Sequence, residues 1–402
     1  MQETRTTVSK ITFFVTLIVV LMLQTSIIFP GFYHYFFSDY PAQLESAFEL
    51  GQKAYLLIIS NIVLFSFGIL YYKNKFSSLN SKIDKIRSFE IPKKISIIIV
   101  LVILVTYAGL SIPELFLDEG EQWGDYEILR DSLALWPDGQ SDDPYIAEQL
   151  DRYVRMALLD ASEKIFQNIK VLPFIASILV VFFTYLLTVQ FTGKRFAGII
   201  AMFVLLQSYI FTTFDTVAVY ENFWVLFFMI SLYAVRRKWI LSPIFYILSV
   251  FTKAYVAPFF LMTLYLTYRS QIQKKNKYLV FGSYVAIIFL ALGITFAGES
   301  IYADVIEIDP SRFFLGFADT SMQFRYDVFF TIMLLPVIVG LYLLSKNTPD
   351  TDTIHSLILG TIIFSPILIS LTYFYDILPY RHVPTLVFFA IAIGFFFSKK
   401  SK

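Results

Sequence analysis

The chain has 402 residues, 57% of them hydrophobic and 16% charged, with a mean hydropathy of +0.67. That balance excludes an ordinary soluble domain and points to a polytopic membrane protein. A formal net charge of +1 gives no case for binding nucleic acid, and the absence of cysteine removes disulfides, thiol catalysis and cysteine-held metal.

The first apolar run, residues 11–29, follows Arg5 and Lys10. It is longer than a signal-peptide core and lacks a small-residue cleavage site, so it reads as a retained anchor. A hydrocarbon core of ~30 Å takes ~20 residues of helix, and run after run meets that length. The runs are continuous rather than alternating, so they are helices and not barrel strands. The expected fold is all-α, a polytopic bundle embedded in the lipid bilayer.

Basic residues mark alternate connections. Lys73, Lys75, Lys82, Lys85, Arg87, Lys93 and Lys94 crowd the first. Later clusters are Lys194-Arg195, then Arg236-Arg237-Lys238, then Arg269 with Lys274, Lys275 and Lys277. Lys346 and the tail Lys399, Lys400 and Lys402 complete the series. The positive-inside rule places these in the cytoplasm and leaves segments 31–53, 114–168, 214–221, 298–326 and 374–382 outside. The alternation gives about twelve passes of the cell membrane with both termini cytoplasmic. Residues 1–94 form a hairpin with a basic loop, and residues 95–402 form the core.

Residues 95–110 are long enough to cross, and the acidic pair Asp118-Glu119 follows at the mouth of that pass. The outer loop then divides. Residues 119–144 are polar and turn-rich. Residues 145–169 read as an amphipathic helix, with Ile146, Leu150, Tyr153, Ala157, Ala161 and Ile165 on one face and Glu148, Asp151, Arg152, Arg155 and Lys164 elsewhere. Lying on the outer leaflet suits such an element.

The stretch 239–268 is too long for one pass, yet both its ends are basic. Parity requires two short arms, 239–251 and 256–268, joined at Thr252-Lys253-Ala254. Each spans only ~20 Å of helix, so the junction is buried in protein or lines a cavity.

The ionisable groups on the outer side are Asp118-Glu119, Asp215 and Glu221, Lys253, Arg325 and Asp327, and Asp376 with Tyr380, Arg381 and His382. Several adjoin apolar runs, where charge is costly and function is the default suspicion. Carboxylates can deprotonate a hydroxyl or hold a divalent ion, and Lys or Arg can neutralise a departing phosphate. Each also has a plain structural reading. Asp118-Glu119 can simply end a helix, Glu221 can favour the dipole of the helix it precedes, Lys253 can snorkel, and Arg381-His382 can anchor at the interface. Asp304, Glu307, Asp309 and Arg312 read as a solvated loop. The 3 histidines are scattered and make no zinc motif. No nucleotide-binding fingerprint is present.

From about residue 94 onward the chain resembles the GT-C glycosyltransferases that use polyprenyl-phosphate sugars. The protein mannosyltransferases that use dolichyl-phosphate-mannose and the lipid A aminoarabinose transferases are similar in pattern. The resemblance rests on Asp118-Glu119 after the first core helix and on the amphipathic helix at about 145–165. It continues with Thr192-Gly193-Lys194-Arg195-Phe196-Ala197-Gly198 and with the acid-led aromatic run Glu221-Asn222-Phe223-Trp224-Val225-Leu226-Phe227-Phe228. Weaker echoes are Leu248-Ser249-Val250-Phe251-Thr252-Lys253 and Pro379-Tyr380-Arg381-His382-Val383-Pro384. The chain departs in having Glu221 where the family usually has Asp, and in its N-terminal hairpin. The expected lack of a soluble C-terminal domain separates it from the oligosaccharyltransferase catalytic subunits.

The resemblance implies an inverting glycosyltransferase of the cell envelope. It would move a hexosyl or pentosyl group from a polyprenyl (dolichyl) phosphate to a protein, lipid or glycan acceptor on the extracytoplasmic side. Asp118 would be the general base, supported by Glu119, with Glu221 as the second acid. Lys253 and Arg381 would hold the donor phosphate, with Asp215, Tyr380, His382 and Arg325 in support. The family is mixed in its use of a divalent metal ion, for which Asp118 and Glu221 would be the ligands. The alternatives are a transporter or flippase of lipid-linked glycans, or an inactive relative. Only one broken segment is found, without the matching partner that transporter repeats usually carry.

Overall fold

The computed structural model describes residues 7–38, 46–73, 75, 77–297, 308–345, 348, 350–371 and 378–398. Asp304, Glu307, Lys346, Asp376 and the tail lysines therefore lie outside the described residues. Every regular element among the described residues is helical.

In chain order the helices are α1 (Thr7–Ile28), α2 (Phe32–Phe37), α3 (Ala54–Tyr72), α4 (Ser77–Ser88), α5 (Lys93–Ser111), α6 (Asp125–Leu135), α7 (Pro144–Leu150), α8 (Tyr153–Phe166), α9 (Val171–Thr192) and α10 (Arg195–Leu206). They continue with α11 (Tyr209–Thr213), α12 (Phe223–Arg237), α13 (Leu241–Thr252), α14 (Phe260–Arg269), α15 (Lys274–Ala297), α16 (Arg312–Phe324), α17 (Val328–Leu344), α18 (Thr351–Leu371) and α19 (Val383–Phe395). Short 3₁₀ turns sit at Ile112–Phe116, Ala254–Phe259 and Pro379–His382.

Among the described residues five stretches are long and apolar enough to cross a membrane: Thr7–Ile28, Ala54–Tyr72, Lys93–Phe116, Val171–Thr192 and Thr351–Leu371. Arg195–Leu206, Leu241–Thr252 and Val328–Leu344 are shorter apolar helices. The chain is thus an all-helical membrane protein. Its sequence sets the breaks. Gly193, at φ +72°, makes the tight turn from α9 to α10, a conformation open to glycine at no steric cost. Lys253 is extended (φ −156°, ψ 112°) and stops α13. The two short arms expected on either side of it are therefore present as α13 and as a 3₁₀ turn leading into α14.

The outer loop differs from the sequence expectation in two respects. The polar stretch 119–144 contains a helix, α6, with Asp125 and Glu127 in its first turn, where acids suit the helix dipole. Its buried face is only Leu129 and Ser132, too narrow to register as an apolar stripe. The single helix expected over 145–169 is two, broken where Arg152 leaves the helical region (φ −87°, ψ 61°). Asp143 caps the first, accepting from Tyr145 N at 2.8 Å. On α8 the apolar residues Tyr153, Ala157 and Ile165 are exposed, while Arg155, Met156, Leu159 and Ser162 are buried. An outward apolar stripe is what a helix seated on a lipid surface requires, so its inward face is the one that carries Arg155.

The chain divides into two compact units. The first comprises Met1–Lys93, Thr188–Ile210 and Val305–Lys402. In it α1 packs against α16, α17 and α18, and α10 packs against α19, whose residues are buried from Val383 to Phe395. Gly316 lets α16 press on α18, since a Cβ there would lie 2.4 Å from the Pro366 Cα. The second unit comprises Lys94–Leu187 and Phe211–Asp304. In it α12 lies along α13, and α13 also meets α8 and α15. The Tyr284 hydroxyl is 2.6 Å from Ser231 Oγ and 2.8 Å from Ser242 Oγ, a polar clasp joining α12, α13 and α15 where lipid supplies no partner.

Candidate functional site

The second unit is organised around the turn between α11 and α12. Residues 214–222 are all buried. Buried backbone outside a helix needs partners, and here side chains supply them. Glu119 accepts the N–H groups of Ala218 at 2.7 Å and Val219 at 3.2 Å. Arg155 Nη2 donates to the carbonyls of Val219 at 2.8 Å and Ala218 at 3.4 Å. Ser177 Oγ donates to the Asp215 carbonyl at 2.7 Å. The loop after α5 and the inward face of α8 therefore grip the same turn.

The turn presents two buried carboxylates. Glu221 Oε2 accepts from Arg155 Nε at 3.0 Å, and its Oε1 has no hydrogen-bond partner. Asp215 Oδ2 accepts from the Tyr107 hydroxyl at 2.6 Å and from Ser111 Oγ at 3.3 Å, and its Oδ1 has no partner. Burial pushes the Asp215 carboxyl up to about 7, against the pull of the Tyr107 hydrogen bond. Thr216 Oγ1 donates to Glu114 Oε2 at 3.2 Å, so a third acid stands beside the turn.

The sequence neighbours Asp118 and Glu119 point to different environments. Glu119 is buried, with both oxygens taken by backbone N–H groups and Lys170 Nζ at 3.8 Å. Burial raises its pKa, opposed by the Ala218 N–H and the Lys170 charge. Asp118 is exposed, and its Oδ1 accepts from Gly120 N at 2.8 Å. Asp118 is thus the member of the pair open to a reactant, and Glu119 is the one that fastens the loop.

Lys253 is 6% exposed and ends α13. The residues flanking it are tied to Trp224, near the start of α12. Ser249 Oγ donates to the Trp224 carbonyl at 2.6 Å, and the Tyr255 ring meets the Trp224 ring edge-on at 5.7 Å. Glu119, Asp215 and Glu221 therefore meet at the turn before α12, Asp118 is the chain neighbour of Glu119, and the residues flanking Lys253 reach α12 at Trp224.

Arg325, Tyr380, Arg381 and His382 belong to the other unit. Arg381 Nε donates to the Tyr380 hydroxyl at 3.3 Å. His382 is fully buried, 4.7 Å from the Phe324 ring, with neither ring nitrogen hydrogen-bonded. Burial, then the Arg381 charge, holds it down to about 3, so it is neutral. Arg325 is exposed and donates to the Tyr326 hydroxyl at 2.6 Å. Asp327 is buried and accepts from Ser208 Oγ at 2.6 Å and Ile210 N at 3.2 Å.

Asp118 and Glu221, the acids expected to hold a divalent ion, lie in different surroundings, the first exposed and the second buried. Glu119 is saturated by N–H donors, and Glu221 already faces a guanidinium, which repels a cation. No group of three or more His, Asp or Glu stands close enough together to hold a metal ion among the described residues.

Sequence reasoning missed Arg155, Lys170, Tyr107 and Glu114 as partners of the site. One signal was present. Lys170 stands at the start of α9, at the end expected outside, against the trend of the basic residues. Comparison with protein-family models, with characterised proteins and with solved structures gives no match to this chain.

Proposed function

We propose that the chain is an integral-membrane inverting glycosyltransferase. It takes a sugar from a polyprenyl phosphate and transfers it to an acceptor on the extracytoplasmic side. The observation that supports the reading is the buried turn before α12, which Glu119 and Arg155 fix and which carries Glu221, with Asp118 next in chain to Glu119 and the residues flanking Lys253 tied to Trp224. A solvent-open carboxylate, a buried carboxylate with one unengaged oxygen and a buried lysine are the groups such a transfer needs.

In this reading Asp118 takes the proton from the acceptor hydroxyl. The acceptor oxygen attacks the anomeric carbon from the face opposite the phosphate. The carbon–oxygen bond to phosphate breaks through an oxocarbenium-like state, and the phosphate leaves with the electron pair. Lys253 neutralises the growing phosphate charge as a preorganised cation in a water-poor site. Glu221 orients the sugar or acceptor through its unengaged Oε1. Asp215 supports these groups from the same turn. No step is routed through a metal ion. About twelve passes with both termini cytoplasmic place these groups on the outer side.

The test uses the purified full chain, a labelled polyprenyl-phosphate sugar, and protein, lipid and glycan acceptors in turn. Label should move to an acceptor with inversion at the anomeric carbon, and Asp118→Asn should stop it. Passage of intact lipid-linked sugar across a vesicle membrane without transfer would establish the flippase alternative instead.

A further inference from the structure

The first unit holds a cavity of about 990 Å³ that the proposed transfer does not use. It lies between α3 and α17, closed at one end by α4 and by the chain just after α19. Gly68 and Phe67 line one wall, and Val339 and Leu343 the other. The volume falls at the upper end of the roughly 300–1,000 Å³ of ordinary ligand pockets. The outer surface of α3 is also apolar and bare, with Ile59, Ile62 and Phe67 all more than half exposed. The cavity thus opens where a membrane helix would meet lipid.

Its closed end is polar and built. Arg87 lines the cavity and donates through Nε to the Phe396 carbonyl at 2.9 Å and through Nη1 to the Tyr71 hydroxyl at 2.9 Å. Asn80 Nδ2 donates to the Tyr71 carbonyl at 3.1 Å, fixing α4 against the end of α3. Lys73, which is exposed, also lines the cavity. Lys82 and Lys85 are exposed on α4, while Ile83 and Ile86 of the same helix line the cavity. Asp84 accepts from the Tyr71 hydroxyl at 3.0 Å and lies 3.8 Å from Arg87 Nη1, so it offsets that cation and leaves Lys73, Lys82 and Lys85 as the positive excess. An apolar slot beside such an excess suits a lipid with long chains and an anionic head group.

We infer that this groove binds an anionic phospholipid from the leaflet next to the basic loop, with its chains between α3 and α17 and its phosphate among Lys73, Arg87 and the α4 lysines. Basic pockets between membrane helices recognise such head groups by charge, and the chains are held by apolar burial.

Native mass spectrometry of the delipidated full chain with added phosphatidylglycerol, phosphatidylcholine or a polyprenyl monophosphate tests this. Phosphatidylglycerol should be retained roughly tenfold better than phosphatidylcholine, as two or more nearby cations imply. Gly68→Trp should abolish that retention. A Cβ at Gly68 meets nothing within 4 Å, so the indole enters the groove without displacing backbone. Lys73→Gln, at an exposed side chain that folding does not need, should lower retention of phosphatidylglycerol and leave phosphatidylcholine unchanged. Equal retention of the two phospholipids would overturn the inference. So would undiminished phosphatidylglycerol binding by both variants, or a polyprenyl monophosphate retained more strongly than phosphatidylglycerol and lost in Gly68→Trp.

Discussion

Arg155 Nε lies 3.0 Å from Glu221 Oε2, and the two side chains are 2% and 1% exposed. This buried pair ties the amphipathic helix α8 to the turn before α12. Removing one partner of a buried pair leaves the other charge uncompensated, at a cost of about 3–5 kcal/mol. Arg155→Met should therefore lower the thermal midpoint of the detergent-solubilised protein sharply. Glu221→Gln also leaves the Arg155 charge unpaired and should cost stability, but less, because the amide oxygen can still accept from Arg155 Nε and the Ala218 and Val219 carbonyls remain its partners. Pairing Arg155→Met with Glu221→Leu should recover part of the loss. A double variant no more stable than Arg155→Met would locate the damage in the lost bonds to the Ala218 and Val219 carbonyls.

Asp118→Asn separates chemistry from folding. Its side chain is exposed, and its one hydrogen bond is to Gly120 N, which the Asn oxygen can still accept. Stability should change by less than about 0.5 kcal/mol, the usual range for surface sites. Transfer should fall by about 10²–10⁴-fold, the usual contribution of a general base. Glu119→Gln should show the reverse balance, losing stability first, since its two oxygens hold the Ala218 and Val219 N–H groups. Transfer by Asp118→Asn near the wild-type rate would remove Asp118 from the base role.

The contrast between these neighbours shows what the sequence reveals and what it does not. Continuous apolar runs and the basic ends of 239–268 foretell helices and the break at Lys253, because length and backbone satisfaction in lipid are strong constraints. The pattern also singles out Asp118-Glu119 and Glu221. It does not show which acid of the pair turns inward, since that depends on the unpaired N–H groups of a turn about a hundred residues away in the chain, between Glu119 and Ala218 or Val219. It sets Arg155 off the apolar face of the expected helix, with the other charged residues. In a membrane protein the apolar stripe can face outward to lipid and the charged residue inward, so helical periodicity alone leaves the direction open.

Lys253→Met should weaken donor more than acceptor binding. The side chain is buried and the flanking residues are anchored to Trp224, so the unbranched Met occupies the space without the charge. Loss of one phosphate contact to a cation predicts a donor affinity lower by about 10- to 150-fold, from the roughly 1.5–3 kcal/mol of a hydrogen bond to a charged group. Titration of each substrate against the catalytically silent Asp118→Asn background would measure the two affinities separately. Equal loss for both would make Lys253 a structural residue of the α13 break.

Asp215 provides a pH test of the turn itself. Burial raises its pKa from 3.8 to about 7, so between those values the unfolded chain releases a proton that the native carboxyl keeps. Stability from this group is present in full below about 3.8, falls as pH rises towards about 7, and then levels off. Asp215→Asn removes the titration and keeps an oxygen for the Tyr107 hydroxyl. Its amide nitrogen occupies the side that has no partner, which costs some stability at acid pH. The variant should therefore melt below the wild type near pH 4 and match or exceed it near pH 8, with a flatter profile between, over the window roughly from 4 to 7. Thermal midpoints of both proteins across that range supply the comparison. A constant offset at every pH would show that Asp215 does not change its protonation in the folded turn.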